Sequence, residues 1–189
     1  MTSKQTSKQT IEQAFRDGAL IRIYRDDLTD AYLTGYIAGC GPEWFALDLV
    51  DNSVRFDGVS CLCYEDVTEC EVPPAGAAFT EKALAALGRK RPQHLGVDLT
   101  SLESLLRSAG SLHPVVTLSL EVAEPEALWI GRVESVNRHL ATLQLISPDA
   151  QWEDGPEEFA LEEITRVDFG STYERALVLV GGTGGFRYN

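Results

Sequence analysis

The chain has few of the residues on which most site chemistry depends: three histidines, one methionine and four cysteines in 189 residues. His94, His113 and His139 fall in a linker, before a strand and in a turn. Nucleophilic catalysis needs a base held beside its nucleophile, and no spacing here brings a His toward a particular Ser or Cys. All three are expected as surface histidines, and the protein is expected not to be an enzyme. The cysteines Cys40, Cys61, Cys63 and Cys70 are confined to the N-terminal half. Structural zinc sites favour Cys pairs two to four residues apart in loops, with His as a common co-ligand. Cys61 and Cys63 instead have the period-two spacing that puts them on one face of a strand, so neither a metal nor a cofactor is expected.

Positive charge is also scarce. Sixteen Lys and Arg stand against 29 Asp and Glu, a net charge of −13. Residues 19–76 and 115–189 each carry −8, while 1–18 and 77–114 are slightly basic. Proteins that hold a phosphate backbone do so through clustered cations that displace its counterions, so nucleic acid is disfavoured as a partner, as is an anionic membrane surface. No apolar run approaches the ~20 residues of a membrane span. Residues 1–10 are polar, which predicts no secretory leader and a cytoplasmic location.

What the sequence does contain is itself, twice. LTGYIAGCGPEWFALDLVDNSVRFDGVSCLCYEDVTECEV returns as WIGRVESVNRHLATLQLISPDAQWEDGPEEFALEEITRVDF, with Gly35 matching Gly131 and Phe56 matching Trp152, a shift of 96. After a one-residue insertion Leu62 matches Phe159 and Val67-Thr68 matches Ile164-Thr165. Cys40, Cys61, Cys63 and Cys70 correspond to Val136, Glu158, Ala160 and Val167, three of them small hydrophobes, as expected where free Cys serves as a core residue. A disulfide framework would staple both copies.

Each copy reads as a short helix followed by strands. Residues 1–9 are polar and expected to fray. A helix is predicted from Thr10 to the stop at Gly18, with Ile11 and Phe15 on one face, and strands at 19–24, 32–40, 44–50, 59–64 and 67–72. Pro73-Pro74-Ala75-Gly76 marks a boundary, followed by a helix over 80–91 that ends in Arg89-Lys90-Arg91, cations that offset the helix dipole. In the second copy a helix from Thr100 to the stop at Gly110 leads to strands at 115–122, 128–136, 140–146, 158–161 and 165–169. An acidic loop is predicted over 148–157, an unmatched sixth strand over 176–180, and a flexible GGTGG tail. The expected domains are 1–74, a helical linker over 75–114, and 115–189.

Gly35-Tyr36-Ile37 and Gly131-Arg132-Val133, each opening a strand-turn-strand of alternating hydrophobics, resemble the first signature of Sm-like, SH3-type barrels. FDGVSCLCYEDVTECE and WEDGPEEFALEEITRVDFG are similar to the repeated segments of an uncharacterised bacterial family with two such barrels in tandem. The resemblance implies a mainly β fold with short helices: two tandem Sm-like five-stranded barrels, each preceded by a helix. It also implies assembly through strand edges, and carries no known activity. RNA-binding Sm proteins place Asp and Asn after the signature Gly, where this chain has Gly41 and Phe45, or Asn137 and Ala141. The second signature, Arg-Gly then Asp or Asn, gives way to Tyr64-Glu65-Asp66 and Leu161-Glu162-Glu163.

The expected function is a non-catalytic module that binds a protein, a peptide or its own copies. An RNA-associated regulator is the alternative, with a metal-dependent protein behind it. The expected binding residues are Phe56 with Asp57, and Trp152 with Glu153 and Asp154: an aromatic platform with a carboxylate rim, suited to a cationic or peptide ligand. At the same positions an aromatic can serve simply to plug one end of a barrel.

Overall fold

In the computed structural model, residues 3–92 and 96–185 are described; His94 lies outside them. The chain divides into two units, Met1–Leu95 and Gly96–Asn189. Strands hold 39% of the residues and helices 28%, so the fold is mainly β.

The first unit runs α1 (Ser3–Asp17), β1 (Leu20–Arg25), β2 (Thr29–Cys40), β3 (Trp44–Val50), β4 (Phe56–Cys63), a 3-10 turn (Tyr64–Asp66), β5 (Glu69–Glu71) and α2 (Ala77–Ala86). The second repeats that order: α3 (Leu102–Leu112), β6 (Val116–Ser119), β7 (Leu128–Val136), β8 (Leu140–Ile146), β9 (Trp152–Ala160), a 3-10 turn (Leu161–Glu163), β10 (Arg166–Phe169) and α4 (Thr172–Gly181). Within the units the antiparallel strand orders are β5-β1-β2-β3-β4 and β10-β6-β7-β8-β9. Among the described residues no ladder joins β4 to β5 or β9 to β10, so each five-stranded sheet is open within its unit.

The registers of the copies coincide. Gly35 faces Leu49 and Gly131 faces Leu145, and the bulge between Ile37 and Gly39 recurs between Val133 and Ser135. The paired glycines have a steric cause: a Cβ on Gly35 would lie 2.1 Å from the Asp48 carbonyl oxygen, and one on Gly131 2.5 Å from that of Gln144. Only glycine permits this approach of two backbones.

The first unit's core gathers Ile11 and Ala14 of α1, Ile21 and Ile23 of β1, Ile37 of β2, Phe45 and Leu47 of β3, Leu62 of β4, and Tyr64 and Val67. Alternation on the strands supplies one face, and each such side chain contributes about 1.5–3 kcal/mol when fully buried. Ser7, Ile11 and Ala14 form the buried stripe of α1, which carries the helix back to Ser3 through the segment expected to fray. Phe15 is left partly exposed.

Four more expectations are corrected. The strand expected at 176–180 is part of α4. Ser171 accepts from the Glu174 backbone N–H and Glu174 reaches back to the Ser171 N–H, a complete capping box, while Glu174, Leu177 and Val178 turn inward at helical spacing. Nor is this segment unmatched, because at the post-insertion shift of 97 α4 corresponds to α2. The acidic loop expected over 148–157 is largely strand: β9 begins at Trp152, and its carboxylates stay in water while its backbone pairs with β8. Gly110 does not stop α3. It lies within the helix because a Cβ there would come 2.6 Å from Cβ of Val133. His113, the C-cap of α3, is half-buried against Phe169 with ring centroids 4.7 Å apart. No helix among the described residues is long and apolar enough to cross a membrane.

Candidate functional site

Both copies contain the same tight turn. Asp51 N–H donates to the Arg55 carbonyl and Val54 N–H to the Asp51 carbonyl; Ser147 and Ala150 make the corresponding bonds. Val54 (φ 55°) and Ala150 (φ 57°) are both in the left-handed region, a conformation that is a true outlier for a β-branched residue. In each copy a helix follows β5 or β10, and the two helices treat this turn differently.

In the second copy α4 covers it. Val115, Ile130, Ile146, Ala150 and Leu177 form a buried cluster, with Trp152 and Val178 packed against it. A Cβ on Gly181 would lie 2.4 Å from the Ala150 carbonyl oxygen. Trp152 donates its indole N–H to the Gly181 carbonyl at 3.1 Å, lies beneath Gly184, and has the Arg132 guanidinium 5.7 Å from its ring centroid. The glycine-rich segment expected to be a loose tail is thus packed against the indole. Trp152 is walled in by its own chain, and Glu153 and Asp154 stand exposed on β9.

The first copy has lost that filling. Thr34, Val50, Val54 and Thr80 replace Ile130, Ile146, Ala150 and Leu177, and all four line an open cleft of about 400 Å³. Threonine in place of isoleucine and of leucine removes two aliphatic side chains. On β1 the equivalence is exact by register, since Arg22 faces Thr34 as Thr117 faces Ile130. Tyr32 and Phe79, 50% and 69% exposed, form apolar walls. Val54, in its left-handed turn, is among the lining residues.

The polar groups around the cleft are held in place. Arg22 Nε donates to Thr34 Oγ1 at 3.3 Å, Arg22 pairs with Glu71 at 3.1 Å, and its guanidinium lies 4.4 Å from the Tyr32 ring centroid. Asp51 accepts from the Ser53 and Arg55 backbone N–H groups and pairs with the Arg55 side chain at 2.9 Å. Thr80 Oγ1 donates to the Gly76 carbonyl at 3.3 Å.

Phe56 and Asp57, neighbours on a strand, serve different hollows. Asp57 lines the 400 Å³ cleft. Phe56 packs against Tyr36, centroids 6.1 Å apart, and lines a smaller hollow of about 270 Å³ with Leu84 and Arg91. Arg91 donates through Nε to Asp48 at 2.9 Å, and also to the Ile37 carbonyl. Burial pushes the Asp48 carboxyl up and the guanidinium opposes this. The helix expected over 80–91 ends at Ala86, so Arg89-Lys90-Arg91 lies beyond it and does not offset its dipole; Arg91 alone supplies the counter-ion of a buried carboxylate, where the second copy has the neutral Gln144.

The cysteines and Glu174 are held in the packed interior or its margin. Burial raises the Cys40 and Cys63 thiols and pushes Cys70 up to about 12, against thiolate formation. Among the described residues no three His, Cys, Asp or Glu are placed to hold a metal ion. Glu174 is buried, accepts from the Thr117 hydroxyl at 2.6 Å and the Ser171 N–H at 2.8 Å, and has its pKa raised by burial.

Of the expected binding residues, Asp57 lies in the cleft lining, and the cleft itself was not foreseen. Its key positions, Thr34 and Thr80, emerge only when α2 is laid on α4, and the reading of 176–180 as a strand prevented that alignment. No family model, curated protein or solved structure matches the chain.

Proposed function

We propose that the chain consists of two Sm-like, SH3-type barrels in tandem and acts as a non-catalytic interaction module, its first unit binding a segment of a partner protein in the Thr34–Thr80 cleft. One observation carries this reading: the position that the chain fills with its own Leu177 in one copy is left open in the other. The lining mixes apolar side chains, Tyr32, Val50, Val54 and Phe79, with polar ones, Arg22, Thr34, Asp51 and Asp57, and a concave site with convergent polar groups is where a ligand is first sought. The lining contains no His and no thiol to activate a nucleophile. Four free cysteines accord with a reducing, cytoplasmic setting.

Charge favours a foreign partner over self-assembly. Among the described residues β9 pairs only with β8 and β5 only with β1. β9 carries Glu153, Asp154, Glu157 and Glu158, and β5 carries Glu69 and Glu71. Setting β9 of one copy against β5 of another would bring like charges face to face, which destabilises strand pairs. The same carboxylates oppose RNA.

Selection of a randomised peptide library on the wild type, with counter-selection on Thr80→Leu, tests the proposal. Enriched peptides are expected to lose at least about tenfold in affinity for Thr80→Leu. Failure to enrich any peptide, or equal binding to both proteins, would sink it.

A further inference from the structure

We infer that the ligand of this cleft is a peptide segment presenting one aliphatic side chain, of leucine or valine type, between lysine or arginine residues. The inference rests on the reading of the cleft as the binding surface and specifies its ligand.

The first half comes from the duplicated copy, which displays what the cavity accepts. Where Thr34, Val50, Val54 and Thr80 line empty space, the counterparts of the first three, Ile130, Ile146 and Ala150, pack with Leu177, the counterpart of Thr80, and Val178 lies beside it. The frame around the two positions is the same in strand register, bulge and left-handed turn. An aliphatic group reaching between Val50 and Val54 would therefore meet a surface of matching curvature. The exposed faces of Tyr32 and Phe79 would cover the chain on either side of it. The Thr34 and Thr80 oxygens, bonded within the chain to Arg22 and the Gly76 carbonyl, keep lone pairs that can accept from a peptide N–H, and a buried amide without a partner costs roughly 1–3 kcal/mol.

The second half comes from charge complementarity. Over residues 19–76 eleven carboxylates stand against three arginines. Two of the three, Arg22 and Arg55, are paired with Glu71 and Asp51 beside the cleft. Asp57 is in the lining, Asp26 and Asp27 lie in the β1–β2 connection, and Asp30 lies on β2 two residues before Tyr32. A field of this sign raises the encounter rate of a basic segment and repels an acidic one. The ligand is thereby distinguished from the chain's own α4 sequence, in which the aliphatic pair follows Glu174-Arg175 and has no cation on its C-terminal side within the helix.

The test uses full-length protein and fluorescein-labelled twelve-residue peptides read by fluorescence polarisation. The reference peptide has a central Leu-Val between lysines in a serine background. One variant replaces Leu-Val by Ser-Ser; another replaces the lysines by glutamates. The reference is expected to bind, each variant to bind at least about tenfold more weakly, and affinity for the reference to fall as salt rises. Thr80→Leu should abolish binding. Phe79→Ala, at an exposed position that folding does not need, should weaken it severalfold.

If the Ser-Ser or glutamate peptide binds as well as the reference while Thr80→Leu still abolishes binding, the ligand chemistry is wrong and the cleft reading stands. If the reference binds wild type, Thr80→Leu and Phe79→Ala alike, the cleft reading falls and this inference with it. If the reference peptide does not bind at all, the inference is overturned, and peptides enriched in the library selection would show which chemistry replaces it.

Discussion

Val54 and Ala150 occupy the same turn in the same left-handed conformation, yet one lines an open cleft and the other is buried beneath a helix. What duplication has kept and what it has let go can be read from that pair. Kept are the features without which neither sheet could form: the glycines at the strand crossing, the bulge two residues on, and the 3-10 turn before the last strand. Released is a patch at the periphery, where Ile130 and Leu177 contribute roughly 1.5–3 kcal/mol each by burial while Thr34 and Thr80 contribute little. The second copy fills this spot with its own helix and the first leaves an open cleft there.

The largest expected effect probes the shared frame. Gly35→Ala and Gly131→Ala should each cost about 3 kcal/mol or more, because the opposing atoms are backbone and cannot move aside. Urea denaturation of both variants checks this, and tolerance in one copy alone would break the equivalence of the frames. Next comes the contrast itself. Leu177→Ala is expected to lose about 2–4 kcal/mol, and Thr80→Ala to stay within about 0.5 kcal/mol of wild type. Similar losses at the two positions would mean that the cleft is not an unfilled counterpart of the cluster. The converse substitution, Thr80→Leu, should raise stability by about 1 kcal/mol through added burial, read as a higher melting temperature.

A smaller effect follows from Glu174, whose counterpart Ala77 cannot titrate. Burial raises its folded-state pKa above 4.5. The folded state therefore holds the proton more tightly than the unfolded chain, and the associated stability is full below the unfolded pKa and lost as pH rises through the folded one. Relative to Glu174→Gln, the wild type should lose stability as pH increases from about 4.5. Denaturation midpoints of the two proteins against pH measure the difference, and parallel curves would contradict the assignment. Smallest of all, Val54→Gly should relieve about 1 kcal/mol of left-handed strain while removing a cleft side chain. The net change in stability is expected within about 0.5 kcal/mol, accompanied by weaker peptide binding.

The strand framework was legible because repetition doubles every signal. Gly35 and Gly131, or Phe45-Ala46-Leu47 and Ala141-Thr142-Leu143, mark strands more firmly together than either does alone. The C-terminal helix was not. Five consecutive apolar residues, Ala176 to Val180, match a buried strand as well as a helix, and only the Ser171–Glu174 capping box and the alignment with α2 decide between them. The acidic run of β9 was misread because edge pairing needs no apolar side chain. Asp57 drew notice by its place beside the matched aromatics, and it lies in the cleft lining. The cleft was missed because it is defined by a difference between copies, Thr34 against Ile130 and Thr80 against Leu177, and similarity was the signal being followed.

The difference between the copies is tested most directly by mapping where a ligand contacts the protein. Isotope-labelled full-length protein titrated with the lysine-flanked Leu-Val peptide should show backbone amide shifts concentrated at Thr34, Val50, Val54, Asp57, Phe79 and Thr80. Ile130, Ile146, Ala150 and Leu177 should remain unmoved. Shifts centred on the second set, or along β5 and β9, would contradict the account.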